Sequence, residues 1–244
     1  MHDDVSIRQA ADIIQQSKYL IALTGAGISK ESNIPTFRGA DGLWKQYDAM
    51  QLATPHAFRT NPQLVWEWYS WRQDLISKCS PNAAHETLAS WEEKDLLKCI
   101  ITQNVDGLHK RAGSVSLHEV HGNLWTLKCI SCDYTGELTS PAIGVPICPM
   151  CSNHLRPDVV WFGENLNREI MLDVYSELGK ADVCIVIGTS ALVQPAASFP
   201  ILVREHGGLI IEVNIEPTPL TPIAAVHLRG KAGDILPRLS TIIS

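Results

Sequence analysis

The sequence predicts an α/β protein, with a parallel sheet covered by helices on both faces and a smaller satellite module. Short apolar runs recur at Tyr19-Leu-Ile-Ala-Leu-Thr24, Leu97-Lys-Cys-Ile-Ile-Thr102, Val183-Cys-Ile-Val-Ile187 and Leu209-Ile-Ile-Glu-Val213. Near-continuous apolarity of this length marks strands buried on both sides, as in parallel sheets with helical crossovers. Each run stops at small or hydrogen-bonding residues: Gly25-Ala26-Gly27, Gln103-Asn104-Val105-Asp106, Gly188-Thr189-Ser190 and Asn214. Ligands of open α/β sheets bind beyond the carboxyl ends of the strands, so these four termini describe one crevice.

The elements follow in order. Ile7, Ala10, Ala11 and Ile14 have helical spacing, and Asp4 or Ser6 is available as N-cap, so a helix is expected over residues 5 to 17. The first strand ends in Gly25-Ala26-Gly27, a tight turn whose missing side chains would let backbone N–H groups approach a pyrophosphate. The third glycine of a Gly-x-Gly-x-x-Gly turn would fall at position 30, which is Lys30, so an ordinary dehydrogenase turn is not satisfied. Val115-Ser-Leu-His-Glu-Val120 alternates apolar and polar residues and places His121 at a strand end. Residues 41 to 78, rich in tryptophan, and 123 to 157, rich in cysteine, glycine and proline, break the rhythm and read as two insertions forming the smaller module. The resulting division is a main domain of residues 1–40, 79–122 and 158–244, with a helical module at 41–78 and a cysteine module at 123–157.

Within the second insertion, Cys129/Cys132 and Cys148/Cys151 form two Cys-x-x-Cys pairs with 15 residues between them. Two such knuckles complete a closed four-thiolate shell for one structural Zn2+, with no open position for chemistry. Cys79, Cys99 and Cys184 are scattered and odd in number, which fits reduced core thiols. Twenty basic against 26 acidic side chains give a net charge of −6, arguing against general affinity for nucleic acid or anionic membrane. No apolar stretch reaches the roughly 20 residues that span a bilayer, and the start Met-His-Asp-Asp lacks signal-peptide features, so a cytoplasmic protein is expected. The oligomeric state is left open, with a monomer compatible.

Taken in order, Gly25-Ala-Gly-Ile-Ser29 with Ile34-Pro-Thr-Phe-Arg38, Thr102-Gln-Asn-Val-Asp106, His121-Gly122, the four-cysteine pattern, Gly188-Thr-Ser190 and Asn214 resemble the sirtuins, NAD-dependent protein lysine deacylases. The resemblance implies a Rossmann-like parallel sheet plus a smaller domain made of a zinc ribbon and a helical insertion. It implies NAD bound along Gly25, Ala26, Gly27 and Ile28, under a loop with Pro35, Thr36, Phe37, Arg38 and Trp44. Gln103, Asn104, Val105, Asp106 and His121 would surround the nicotinamide ribose, and Gly188, Thr189, Ser190, Asn214, Ile215, Glu216 and Ala232 the adenosine side. His121 is implied as general base, Asn104 as the group that holds the ribose and its water, and Asp106 as partner of the nicotinamide carboxamide. The implied products are free lysine, nicotinamide and O-acyl-ADP-ribose.

Tyr69 and Arg72, three apart in Trp66-Glu-Trp-Tyr69-Ser-Trp-Arg72, would share a helix face. Packing of the aromatics with a snorkelling guanidinium is the ordinary reading. The pair also resembles the sirtuin subclass whose acyl pocket takes succinyl, malonyl or glutaryl lysine, with Ala53 leaving room for the acid. The resemblance further implies that Val160, Trp161 and Phe162 line the lysine tunnel and that Gly163 and Val193 pair with the substrate backbone as added strands. The expected partners are therefore acylated lysine side chains of proteins, with acetyl-lysine a weaker substrate. A mainly acetyl-lysine deacetylase and ADP-ribosyl transfer to protein remain open on the same crevice. A zinc-ribbon module for nucleic acid is disfavoured because no Lys or Arg lies between Cys129 and Cys151.

Overall fold

The computed structural model describes residues 4–35 and 49–243. Helix α1 (Asp4–Gln16) leads to β1 (Leu20–Thr24), and the short α2 (Ala26–Ser29) follows at once. Next come α3 (Ala49–Leu52), α4 (Pro55–Thr60), α5 (Pro62–Ser77) and α6 (Ala83–Glu93). Strand β2 (Leu97–Thr102), α7 (Leu108–Arg111) and β3 (Leu117–Glu119) lead to β4 (Gly122–Cys129), β5 (Thr135–Glu137) and β6 (Leu155–Val159). The chain then alternates α8 (Arg168–Lys180), β7 (Val183–Ile187), α9 (Phe199–Glu205), β8 (Leu209–Asn214), β9 (Val226–Arg229) and α10 (Ala232–Ile243). Helix α1 runs from Asp4, which puts both of the alternative caps, Asp4 and Ser6, inside its first turn.

Six strands form the main sheet in the order β3-β2-β1-β7-β8-β9, and every neighbouring pair is parallel. The chain winds outward from β1 to β3 on one side and from β7 to β9 on the other. The reversal lies between β1 and β7, and there the loops leave in opposite directions and open a crevice. The alternation of side chains explains why each run had to be apolar throughout. Leu20 and Ala22 face a core shared with α1, α6 and α10, while Ile21 and Leu23 face a second core shared with α8 and α9. Cys99 and Cys184 sit in the second core as free thiols, and burial pushes Cys99 up to about 12 and Cys184 further still. They are inert at neutral pH.

A second sheet, in the order β5-β4-β6, is antiparallel. It shares a third core with α4 and α5: Phe58, Trp66, Trp68 and Tyr69 meet Leu124, Leu127, Leu155 and Trp161. Local chemistry starts these helices, since Thr54 Oγ1 accepts from Ala57 N at 3.0 Å and Asn61 Oδ1 from Leu64 N at 3.0 Å, each with proline in the first turn. Gln73, fully buried on α5, donates to Leu124 O at 2.7 Å and accepts from Ala142 N at 3.0 Å. Both polar ends of that amide are thereby satisfied between α5 and the segment from Leu124 to Ala142. No helix among the described residues is long and apolar enough to cross a membrane.

Candidate active site

At the reversal point the turns after β1 and β7 touch backbone to backbone. Gly25 N–H donates to Ile187 O at 3.0 Å and Gly27 N–H to Gly188 O at 2.7 Å. A Cβ on Gly27 would lie 2.6 Å from Gly188 Cα, and Gly188 itself has φ +61° with Ile28 N only 2.5 Å from the place of its missing Cβ. The two glycines are therefore required by the approach of one turn to the other. Their N–H groups are engaged with protein, and Ala26, first in α2, carries the N–H without an intrahelical acceptor. Thr189 closes the junction: its Oγ1 accepts from Gln103 Nε2 at 3.0 Å, and its carbonyl accepts from Asn214 Nδ2 at 2.7 Å.

The end of β2 supplies the next layer. Asn104 is buried, and its amide donates to Gly25 O at 3.1 Å and to Ser29 Oγ at 3.2 Å. Ser29 in turn donates to Asp106 Oδ2 at 2.8 Å, while Asp106 Oδ1 accepts from Leu108 N at 2.9 Å. Burial raises the Asp106 carboxyl above its usual range, opposed by those two hydrogen bonds and by the charges of Arg72 and Arg111. Each carboxylate oxygen keeps acceptor capacity for a further donor. Trp125 Nε1–H donates to Asp106 O at 2.9 Å and ties the antiparallel sheet to this loop.

His121 lies half-buried in the turn between β3 and β4, with Nδ1 3.0 Å from Gln103 O. Burial holds its imidazole below the ordinary histidine value, and the bond to Gln103 partly offsets this. The carbonyl of His121 accepts from Val160 N at 2.9 Å, and Phe162 N–H donates to Ala53 O at 2.9 Å. These two bonds hang the 160–162 segment between the crevice and the turn from α3 to α4 that holds Ala53. Val160 is half-buried, Trp161 is 2 % exposed, and Phe162, Gly163 and Val193 are exposed.

Tyr69 and Arg72 do share one buried face of α5. Arg72 packs its guanidinium over the rings of Trp68, 5.0 Å from the centroid, and of Tyr69, 5.8 Å away. Burial lowers its pKa, opposed by the nearby Tyr69 and Asp106. It therefore adjoins the carboxylate wall of the crevice and does not snorkel into water.

The sulfurs of Cys129, Cys132, Cys148 and Cys151 all lie within 4.8 Å of one another, the Cys129–Cys151 and Cys132–Cys148 pairs at 3.4 and 3.6 Å. Four sulfurs bound at about 2.3 Å around a tetrahedral zinc ion stand about 3.8 Å apart. The four residues therefore fit one structural zinc ion. Ser131 N–H and Asn153 Nδ2 reach Cys129 and Cys151 sulfurs, donors suited to thiolates.

The profile of the Sir2 family matches residues 25–195. The chain is 51% identical over 238 residues to the NAD-dependent protein deacylase of Pyrococcus furiosus, covering 95% of each chain, and 52% identical over 228 residues to NAD-dependent protein deacylase 1 of Archaeoglobus fulgidus, covering 93% of each. The chain belongs to the Sir2 family. A Sir2 homolog–NAD complex is similar to it with a TM-score of 0.91 and 48% identity, covering 97% of this chain and 95% of that one. A Sir2–p53 peptide–NAD+ complex reaches a TM-score of 0.85 at 31% identity, covering 96% and 97%.

Against this Sir2 framework, the geometry gathers Gly25, Ala26, Gly27, Gln103, Asn104, Asp106, His121, Gly188, Thr189 and Asn214 around one crevice. Ala232 begins α10, where Glu31 Oε1 accepts from Gly233 N at 3.0 Å. Ile215 and Glu216 are exposed beyond β8, with Glu216 3.9 Å from Arg229. Thr36, Phe37, Arg38 and Trp44 lie outside the described residues. Sequence reasoning missed the work of Ser29 and Trp125. Ser29 stood within the quoted Gly-Ala-Gly-Ile-Ser motif, but only the three-dimensional path from Asn104 to Asp106 gives it a purpose.

Proposed function

We propose that this chain removes acyl groups from protein lysine side chains with NAD as co-substrate, and that its acyl pocket favours succinyl and malonyl over acetyl. The observation that carries the finer part is the burial of Tyr69 and Arg72 together on one face of α5 beside the crevice. A guanidinium meets a carboxylate in two parallel hydrogen bonds, and a phenol adds a third donor. Each charge-assisted bond contributes about 1.5–3 kcal/mol, roughly tenfold or more in favour of an acidic acyl group.

When bound, NAD supplies a ribose carbon made reactive by its nicotinamide leaving group. The chain's own residues are assigned as follows. Asp106 accepts from the carboxamide, and Asn104, its amide nitrogen engaged with Gly25 and Ser29, turns its oxygen to the ribose side. His121 accepts a proton from a ribose hydroxyl at Nε2. Thr36, Phe37, Arg38 and Trp44 are assigned to the loop over the cofactor, and Ser190, Ile215, Glu216 and Ala232 to the adenosine side. Val160, Trp161 and Phe162 wall the lysine channel and keep water from the reacting carbon. Acyl-lysine enters between a main domain of residues 1–40, 79–122 and 158–244 and the two insertions.

The test compares kcat/KM for matched acetyl- and succinyl-lysine peptides in the wild type and in Arg72→Met. Faster succinyl removal in the wild type, lost tenfold or more in the variant while acetyl removal is spared, fits the assignment. Because Arg72 also adjoins Asp106, equal loss with both peptides would reduce it to a counter-charge for that carboxylate and sink the acidic-acyl reading.

A further inference from the structure

Arg156 is an oddity of β6, a charged residue only 6 % exposed. A charge that deep must find partners nearby. They come from eight residues further along: Arg156 Nη1 and Nη2 donate to Glu164 Oε1 and Oε2 at 2.6 and 2.9 Å. Nη2 also donates to Val159 O at 2.7 Å. The parallel fork restricts direction as well as distance, which an ammonium would not do. Burial alone would raise the Glu164 carboxyl, but the bonds from Arg156 and Trp161 outweigh it and hold it below its usual range.

The buckle closes on Trp161. Glu164 Oε2 accepts from the main-chain N–H of Trp161 at 2.9 Å, and the Arg156 guanidinium carbon lies 3.2 Å from the centroid of the Trp161 ring. The residue is thus held by its backbone and by one face of its ring. Its indole Nε1–H then donates to the hydroxyl oxygen of Tyr69 at 2.7 Å. Burial pushes the Tyr69 phenol up to about 12, so it stays protonated at neutral pH. With its oxygen accepting from the indole, the phenol has its own proton to give to another acceptor.

We infer that the Arg156–Glu164 pair is a positioning device for acyl selection: by fixing Trp161 it sets the rotation of the Tyr69 hydroxyl, so that the phenolic proton is presented to the acyl group beside Arg72. This rests on the reading of Tyr69 and Arg72 as the acyl pocket. Neither Arg156 nor Glu164 touches the substrate in this arrangement. Both act through the indole, and the chain of contacts Arg156, Glu164, Trp161, Tyr69 connects the sheet of the cysteine module to the helical insertion. A simpler alternative is that the pair only shapes the turn at 160–163.

A double-mutant cycle separates the two. KM and kcat for acetyl- and succinyl-lysine peptides are measured at saturating NAD, and KM for NAD at saturating peptide, with Glu164→Gln in the wild-type and in the Tyr69→Phe background. Glu164→Gln is expected to raise KM for the succinyl peptide roughly tenfold with little change in kcat or in KM for NAD, and to move it less than about twofold once Tyr69 is phenylalanine. Arg156→Lys, which keeps the charge without the fork, carries the same cycle should Glu164→Gln melt below the assay temperature. An equal rise in both backgrounds would overturn the inference, because the pair would then act on the 160–163 segment without Tyr69. No rise in either would overturn it as well. If the wild type leaves succinyl-lysine untouched while the Glu164→Gln effect on acetyl-peptide KM still requires Tyr69, the acidic-acyl reading fails and the positioning chain stands.

Discussion

The imidazole Nδ1 of His121 stands 3.0 Å from the carbonyl oxygen of Gln103. A carbonyl only accepts, so Nδ1 carries the proton and Nε2 presents its lone pair. That tautomer is the one a general base needs, and the strand end that follows β2 fixes it. His121→Ala is expected to fold, because the side chain is half-buried and no core is lost, yet to lose about 10²–10⁴-fold in deacylation. Burial depresses the imidazole pKa, so the neutral base persists below the ordinary value. The acid limb of kcat/KM for the wild type should therefore have its midpoint below about 6.5. Wild-type turnover by His121→Ala would remove the residue from the chemistry.

The close junction of the β1 and β7 turns gives a second prediction. A Cβ at Gly27 would lie 2.6 Å from Gly188 Cα and 2.7 Å from Gly188 O, and backbone on both sides leaves nothing flexible to yield. Gly27→Ala should cost about 1–3 kcal/mol in denaturant unfolding and raise KM for NAD, since the turn must part from its neighbour. Gly179, in α8 with no atom within 4 Å, is the control. Gly179→Ala should add about 0.5–1 kcal/mol through helix propensity. Equal effects from the two substitutions would refute the packing argument.

These two sites also show what could be read in advance. Strands β1, β2, β7 and β8 were legible because burial on both faces demands unbroken apolar runs, and α1 because one apolar stripe suffices to dock it. Strand β9, Val226–Arg229, escaped because its four residues include His227 and Arg229, and β6 escaped because Arg156, Pro157 and Asp158 interrupt it. The buried charge of Arg156 is tolerated only because Glu164 folds back onto it, and spacing along the chain does not reveal that return. The turn glycines were legible as a turn, but their reason was not. They were expected to offer N–H groups to a ligand, whereas Gly25 and Gly27 spend theirs on Ile187 and Gly188.

The cysteine cluster predicts one zinc ion per chain and a small module that depends on it. Chain segments from Cys129 to Cys151 have little apolar core of their own: Cys148 is buried, but Ile130, Ile143, Ile147 and Met150 are exposed. Metal binding therefore supplies stability that side-chain burial does not. A chelator, or Cys148→Ser, should lower the melting temperature and expose tryptophan from the core around Trp66 and Trp161. Elemental analysis that finds no zinc, with unchanged melting after chelation, would contradict this.

Buried histidines make a last prediction, on stability against pH. His85 and His109 pack ring to ring, with centroids 4.8 Å apart, on α6 and α7 behind the crevice. Both are almost wholly buried, and burial pushes His85 down to about 4 and His109 down to about 3. In the unfolded chain each returns to about 6.5. Above that value neither state binds the proton and the pair costs nothing. As pH falls below it the unfolded chain gains protons that the folded one refuses, and each histidine removes about 1.4 kcal/mol of stability per pH unit. Glu119 works in the opposite sense. Burial pushes it up to about 7, offset in part by the hydrogen bond from Asn123, so its contribution is present at low pH and is lost as pH rises toward neutrality. Between about pH 6.5 and 4.5 the slope of one of these two histidines is cancelled by Glu119, so these three groups together remove about 1.4 kcal/mol per unit of acidification, to which the depressed His121 adds and which the raised Asp106 opposes. Glu119→Gln should steepen the slope by about 1.4 kcal/mol per pH unit, and His109→Gln, which keeps a donor for Thr24 in place of the contact Nε2 makes at 2.9 Å, should flatten it by about as much. Melting temperatures recorded from pH 7.5 to 4.5 decide the matter: a profile that does not change between the wild type and His109→Gln would mean that acid sensitivity arises elsewhere.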